Sequence, residues 1–154
     1  MPSTSSGSDR GFALTHAREG MTVVLVAHHV RSLAETATEI SKTGGGSLAV
    51  AADVSEIEDM KHVADSAIDA FGAVHLLCKN ASVGPFGTAQ ETTLAEWEWV
   101  LSVNLWGVIH GIYVFLPLFE DRQEGHEAVR RHAGDGPVER SLRPLLRSHP
   151  IFAL

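Results

Sequence analysis

The sequence predicts a three-layer α/β/α fold built on a doubly wound parallel sheet. Three observations carry that expectation. Short apolar runs occupy Thr22 to Ala27 (TVVLVA), Ser47 to Ala52 (SLAVAA) and Val74 to Cys78 (VHLLC). None of them alternates regularly between apolar and polar residues, as a strand covered on both faces need not. The stretches between the runs have helical length, and strands alternating with helices argue βαβ units. Each run also closes in polar or turn residues: His28-His29, Asp53-Val54-Ser55, and Lys79-Asn80-Ala81-Ser82. In open α/β sheets, ligands lie beyond such carboxyl ends.

Taken in order, Phe12 to Glu19 reads as a short helix stopped by Gly20, which suits the position after a helix end. Ser32 opens a second helix running to Ser41, and Gly44-Gly45-Gly46 ends it. Glu56 to Phe71 reads as a third, with Ser55 as its expected N-cap because Glu58 stands three residues on. With Ser55 in that role, Asp53 is left available for a ligand. Thr93 and Glu96 form the same box before the longest apolar segment, Trp97 to Leu116. A helix apolar all round is buried on two sides. The sheet is the expected cover for one side and a second subunit for the other. Asn104, His110 and three glycine or tryptophan interruptions within the run argue against a membrane span.

Asp53-Val54 after one strand, Asn80-Ala81-Ser82 after the next, and Val103-Asn104-Leu105-Trp106-Gly107 in the following helix resemble the short-chain dehydrogenase/reductase family. The family writes these motifs as D-V, N-N-A-G and a helix asparagine, in that order and at about these separations. The resemblance implies a Rossmann-like dinucleotide-binding domain over residues 1–125, with NADP or NAD as cofactor. It places the cofactor against Gly7, His28, Asp53, Val54, Asn80, Ala81 and Ser82. In the family the aspartate accepts from the adenine amino group and the next backbone N–H reads the ring. His28 stands where an acidic residue reads as NAD and a basic one as NADP, so the lean is toward NADP. Asn104 matches the catalytic helix asparagine, which holds a water for proton relay. Pairing of two chains through the helix 97–116 is implied as well.

The same comparison exposes departures. The family's T-G-x-x-x-G-x-G turn, which brings backbone N–H groups to the pyrophosphate, falls on Pro2 to Asp9, where only Gly7 is kept. Asp9 stands where the last glycine belongs. The strand that precedes this turn in the family occupies the centre of its sheet, and here Met1 lies where that strand would end. The expectation is therefore two half-sheets with unpaired edges. The family's Tyr-x-x-x-Lys is missing too, because the sole tyrosine is Tyr113 and the lysines are Lys42, Lys61 and Lys79.

Composition narrows the function classes further. A net charge of −7 argues against a nucleic-acid surface, and the single cysteine, Cys78, excludes an internal disulfide. The opening MPSTSSGSDRG has no apolar core of the kind a signal peptide needs, so cytoplasm is the expected compartment. No histidine pair has a companion ligand at metal spacing, and no metal site is expected. Beyond Gly125 the chain turns basic, with six of its twelve Lys and Arg residues between Arg122 and Arg147, and reads as an irregular tail over 126–154. Codons for His132 to Arg140 read one nucleotide later permit Met-x-Gly-Met-Val-Pro-Ser-Ser, which resembles a family loop, so a shifted reading frame is one origin for this tail. The functional expectation is an oxidoreductase by descent, moving hydride between nicotinamide and an alcohol or carbonyl, but inactive as this chain. The alternatives are a non-catalytic nucleotide-binding or dimerisation module and a product that does not fold.

Overall fold

The computed structural model describes residues 8–85, 87–120, 126–128 and 151–153. Its elements are α1 (Ser8–Arg18), β1 (Val23–Ala27), α2 (Val30–Lys42), β2 (Ser47–Ala51), α3 (Ile57–Phe71), β3 (Leu76–Cys78), α4 (Leu94–Leu101), a π-helical turn (Ser102–Trp106), α5 (Gly107–Glu120), β4 (His126–Ala128) and β5 (Ile151–Ala153). The five strands form one sheet in the order β2-β1-β5-β3-β4. Every neighbouring pair is parallel.

The apolar runs become strands because both faces of the sheet are covered. In β1, Val23 and Leu25 pack with Ala13 and Ala17 of α1 and with Leu33 and Ile40 of α2. Val24 and Val26 turn the other way, toward Met60, Val63, Ala64 and Ala67 of α3 and Phe115 and Phe119 of α5. β3 divides likewise, with Leu77 in the second cluster and Leu76 and Cys78 beside Met21. This is the three-layer α/β/α arrangement expected from the sequence. β2 differs, being an edge strand with Ala49 and Ala51 exposed.

Local departures have local causes. α1 begins at Ser8, four residues before the expected start, so Asp9 lies in its first turn. α2 starts at Val30, with His29 as N-cap, and the Ser32 hydroxyl donates to the His29 carbonyl. Ser55 does not cap α3; that position falls to Glu56, without a side-chain hydrogen bond. Asp53, two residues before Ser55, draws both the Ser55 N–H (2.9 Å) and its hydroxyl (2.6 Å) onto Oδ1. Such an Asx turn competes directly with capping. The box at Thr93 and Glu96 does form. The Thr93 N–H and hydroxyl, at 2.7 and 2.8 Å, hold the Glu96 carboxyl below its usual range.

One larger expectation is overturned. The centre of the sheet is filled: Ile151–Ala153 lies between β1 and β3, pairing Phe152 with Val24 on one side and with Leu77 on the other. The tail is accordingly not irregular throughout, since it supplies β4 and β5. Two facing rows of backbone donors and acceptors in the interior need partners, and a short strand satisfies both at once.

Within one chain the long helix is covered on one side only, and the side expected to meet a second subunit is open. Gly107, Gly111, Phe115 and Phe119 form the buried stripe at four-residue spacing. Trp97, Leu101, Leu105, Trp106, Ile109, Tyr113 and Leu116 are exposed, because α3 and the sheet cover only one face. Over Leu94–Phe119 the helix is long and apolar enough to cross a membrane by length and composition. Gly107 is required where it packs, since a Cβ there would stand 2.8 Å from Val54 Cγ2.

Candidate functional site

Parallel pairing brings the carboxyl ends of β1, β2 and β3 to one edge of the sheet. The residues that follow them are His28, Asp53 and Asn80, and the N-terminal turn of α1 arrives at the same edge with Asp9. Two contacts tie these four side chains into pairs. His28 Nδ1 stands 3.9 Å from Asp53 Oδ2, with the imidazole largely open to solvent. Asn80 Nδ2 donates to Asp9 Oδ1 across 71 residues of sequence. Burial raises the Asp9 carboxyl above its usual range, and the Asn80 bond offsets this in part.

Asp53 is more committed than the sequence suggests. Its Oδ1 serves Ser55, and its backbone N–H donates to Asp59 Oδ2 at 2.8 Å. Its Oδ2 faces His28. Val54 is buried in the core, and its carbonyl accepts from His110 Nδ1 at 3.1 Å. A carbonyl only accepts, so this contact places the imidazole proton on Nδ1.

The loop after β3 is pinned from the long helix. Asn104 Oδ1 accepts from the Val83 N–H and Asn104 Nδ2 donates to the Val83 carbonyl, both at 2.8 Å. Asn104 lies in the π-helical turn, the kind of local widening that often marks functional sites. Both halves of its amide are thereby engaged with backbone. The two polar residues interrupting the apolar helix thus hold the loops beyond β2 and β3. Ala81 packs against the core and Ser82 is exposed on the pinned loop, while Gly7 lies outside the described residues. The Asp9–Asn80 link escaped sequence reasoning because nothing local joins its partners. His110 was visible as a polar interruption, but its acceptor was not.

A dinucleotide lying along this edge would meet two different environments. At the β1 and β2 ends it finds the Asp53 carboxylate, an imidazole and the backbone at Val54, which suit a purine and a ribose. At the start of α1, where N–H groups favour an anion, it finds the Asp9 carboxylate. The nucleoside end fits and the diphosphate end is opposed by charge.

Comparison with known proteins accords with this architecture. A family model described as short chain dehydrogenase matches residues 4–127. An uncharacterized oxidoreductase of Listeria monocytogenes is 32% identical over 122 residues, which are 79% of this chain and 49% of that protein. A short chain dehydrogenase/reductase from Burkholderia phymatum, solved in complex with NAD, superposes with a TM-score of 0.73 at 36% identity, covering 78% of this chain and 44% of that one. An alcohol dehydrogenase from Thermococcus sibiricus, complexed with 5-hydroxy-NADP, superposes with a TM-score of 0.71 at 25% identity, covering 89% of this chain and 60% of that one. The chain spans about half the length, or less, of the curated relatives it matches.

Proposed function

The chain belongs to the short-chain dehydrogenase family, and from that premise we propose that residues 1–125 bind a nicotinamide dinucleotide, NADP in preference to NAD, at the carboxyl ends of β1, β2 and β3. The convergence of His28, Asp53, Asn80 and Asp9 on one sheet edge carries this reading. Asp53 Oδ2 would receive the adenine amino group and the Val54 N–H would face the ring. His28 would donate to a ribose 2′-phosphate. Ala81 and Ser82, on the loop that Asn104 pins, would line the path toward the nicotinamide. Asn104 then works by positioning that loop. By descent the reaction class is hydride transfer between nicotinamide and an alcohol or carbonyl, but this chain binds the cofactor without turnover, as a cytoplasmic protein without nucleic-acid or membrane partners.

Thermal unfolding with NADPH and NADH tests the reading. A ligand stabilises only the state that it occupies, so NADPH at about ten times its Kd should add about 1.4 kcal/mol and move the midpoint up by roughly 4 °C. A midpoint unmoved by either cofactor at millimolar concentration overturns it. The Asp9→Asn variant keeps the acceptor for Asn80 and removes the charge. It should bind NADH about tenfold more tightly, since two charges a few ångströms apart near a protein surface interact by a few kcal/mol before salt screening. The pH dependence has a definite sign. Asp9 titrates above the usual carboxylate range, so lowering the pH through that value neutralises it. Wild-type affinity for NADH should then rise toward that of the variant, whose own affinity stays flat; parallel curves for the two proteins would refute the role of Asp9.

The exposed apolar face of the long helix supports a further reading, pairing of two copies through it. Trp97, Leu101, Leu105, Trp106 and Ile109 give that face aromatic and aliphatic anchors of the sort that dominate interfaces. Sedimentation should show a dimer whose dissociation constant rises about a hundredfold in Leu105→Glu, consistent with loss of a central anchor, with the circular dichroism spectrum unchanged. A monomeric wild-type chain at tens of micromolar (about the upper range for a specific pair) would remove this reading.

A further inference from the structure

β5 is the strand that joins the two halves of the sheet. On one side lie β1 and β2, on the other β3 and β4. Its three residues pair in register with both neighbours, Ile151 with Val23 and Leu76, Phe152 with Val24 and Leu77, Ala153 with Leu25 and Cys78. Covalently it is joined to β4 only through residues 129–150. Among the described side chains the two halves also share a core. One continuous core cluster runs from Val24, Val26 and Val50 through α3 and α5 to Val74 and Leu77. The facing edges of β1 and β3 bound a channel that β5 fills, with backbone donors and acceptors on both walls.

We propose that this channel is a parallel-strand acceptor site, filled in the free chain by its own Ile151–Ala153 and open to exchange with the same segment of a second copy. The occupant is specified by register and backbone: an extended apolar segment, running parallel to β1 and β3, with an N–H at its middle residue. The ladder contacts made in cis and in trans are the same. What favours the chain's own strand is its tether, which gives an effective concentration on the order of millimolar. Exchange therefore needs either a comparable concentration of competitor or a defect in the resident strand. Exchange of an identical element is a low-cost route to assembly, and strand addition to an open edge is a general recognition mode.

The test uses the full chain and a fluorescent peptide of residues 147–154, RSHPIFAL. Phe152→Pro in the chain removes the central N–H of β5, and proline is excluded from central strands. Anisotropy should show the variant chain binding the peptide at least tenfold more tightly than the wild type, whose channel is occupied. Equal binding by the two chains, or binding by neither, overturns the proposal. Should the variant alone lack a cooperative unfolding transition, excess peptide should restore one, and failure to restore it overturns the proposal as well. A second measurement needs no variant chain. Wild type should take up the peptide at about millimolar concentration, matching the tether, and take up none of the same peptide carrying Phe152→Pro. Uptake of both peptides alike would show binding elsewhere.

Discussion

The purified chain should reduce no carbonyl compound with NADPH or NADH above background, even where it binds the cofactor. Proton donation by a positioned acid contributes about two to four orders of magnitude, and loss of the group that orients the nicotinamide removes more. Both depend on a donor within hydrogen-bond reach of the substrate oxygen at the carboxyl edge of the sheet. Tyr113 is the sole tyrosine, has Pro117 in place of a lysine four residues on, and is 68% exposed on the solvent side of α5. The lysine it influences electrostatically is Lys61 on α3, whose ammonium is held above its usual value first by the hydrogen bond to Glu58, then by that carboxylate's charge and, more weakly, by Tyr113. Lys42 closes α2, and Lys79 is buried directly after β3. Loss of reduced-nicotinamide absorbance in the presence of simple ketones checks this. Turnover that is abolished by Asn80→Ala but untouched by Tyr113→Phe would mean that this edge holds an acid other than the tyrosine.

What was legible in the sequence was what local chemistry decides. β1 and β3 showed themselves because strands covered on both faces have no polar side to display. The Thr93 and Glu96 box was readable because its partners are three residues apart. Ser55 was misread for a reason equally local, since its N–H and hydroxyl donate to the Asp53 carboxylate, which draws the hydroxyl away from the helix N–H groups it would have capped. The remaining misses are long-range. Ile-Phe-Ala has no pattern of its own, and its place is set by two edges more than 70 residues upstream in sequence. Asn104 was singled out by type, but the partner that defines its work, the Val83 backbone, lies on another element. The long helix read as apolar all round, and periodicity reports apolarity and not which element covers each face. Among the described residues one face has α3 and the sheet against it, and the other has nothing comparable.

That asymmetry predicts opposite consequences for two adjacent residues. Phe115 is 0% exposed and belongs to the cluster that connects β1, β2, β3 and α3. Leu116, the next residue, is 40% exposed. Phe115→Ala should cost about 3–5 kcal/mol, the lost transfer energy of the ring together with the cavity left behind. A domain of this size has about 5–15 kcal/mol in total, so most of its stability goes, and the urea midpoint should fall steeply with little change in slope. Leu116→Ala removes a side chain that water already reaches and should cost about 1 kcal/mol or less. The difference between the variants reports helix docking specifically, because both residues share the same helix, the same backbone geometry and nearly the same propensity change. Equal losses would mean that the helix does not sit with Phe115 inward. Asn104 and His110, fixed on the same helix by the same rotation, would then no longer reach the loops beyond β3 and β2, and the candidate site would lose its frame along with the core.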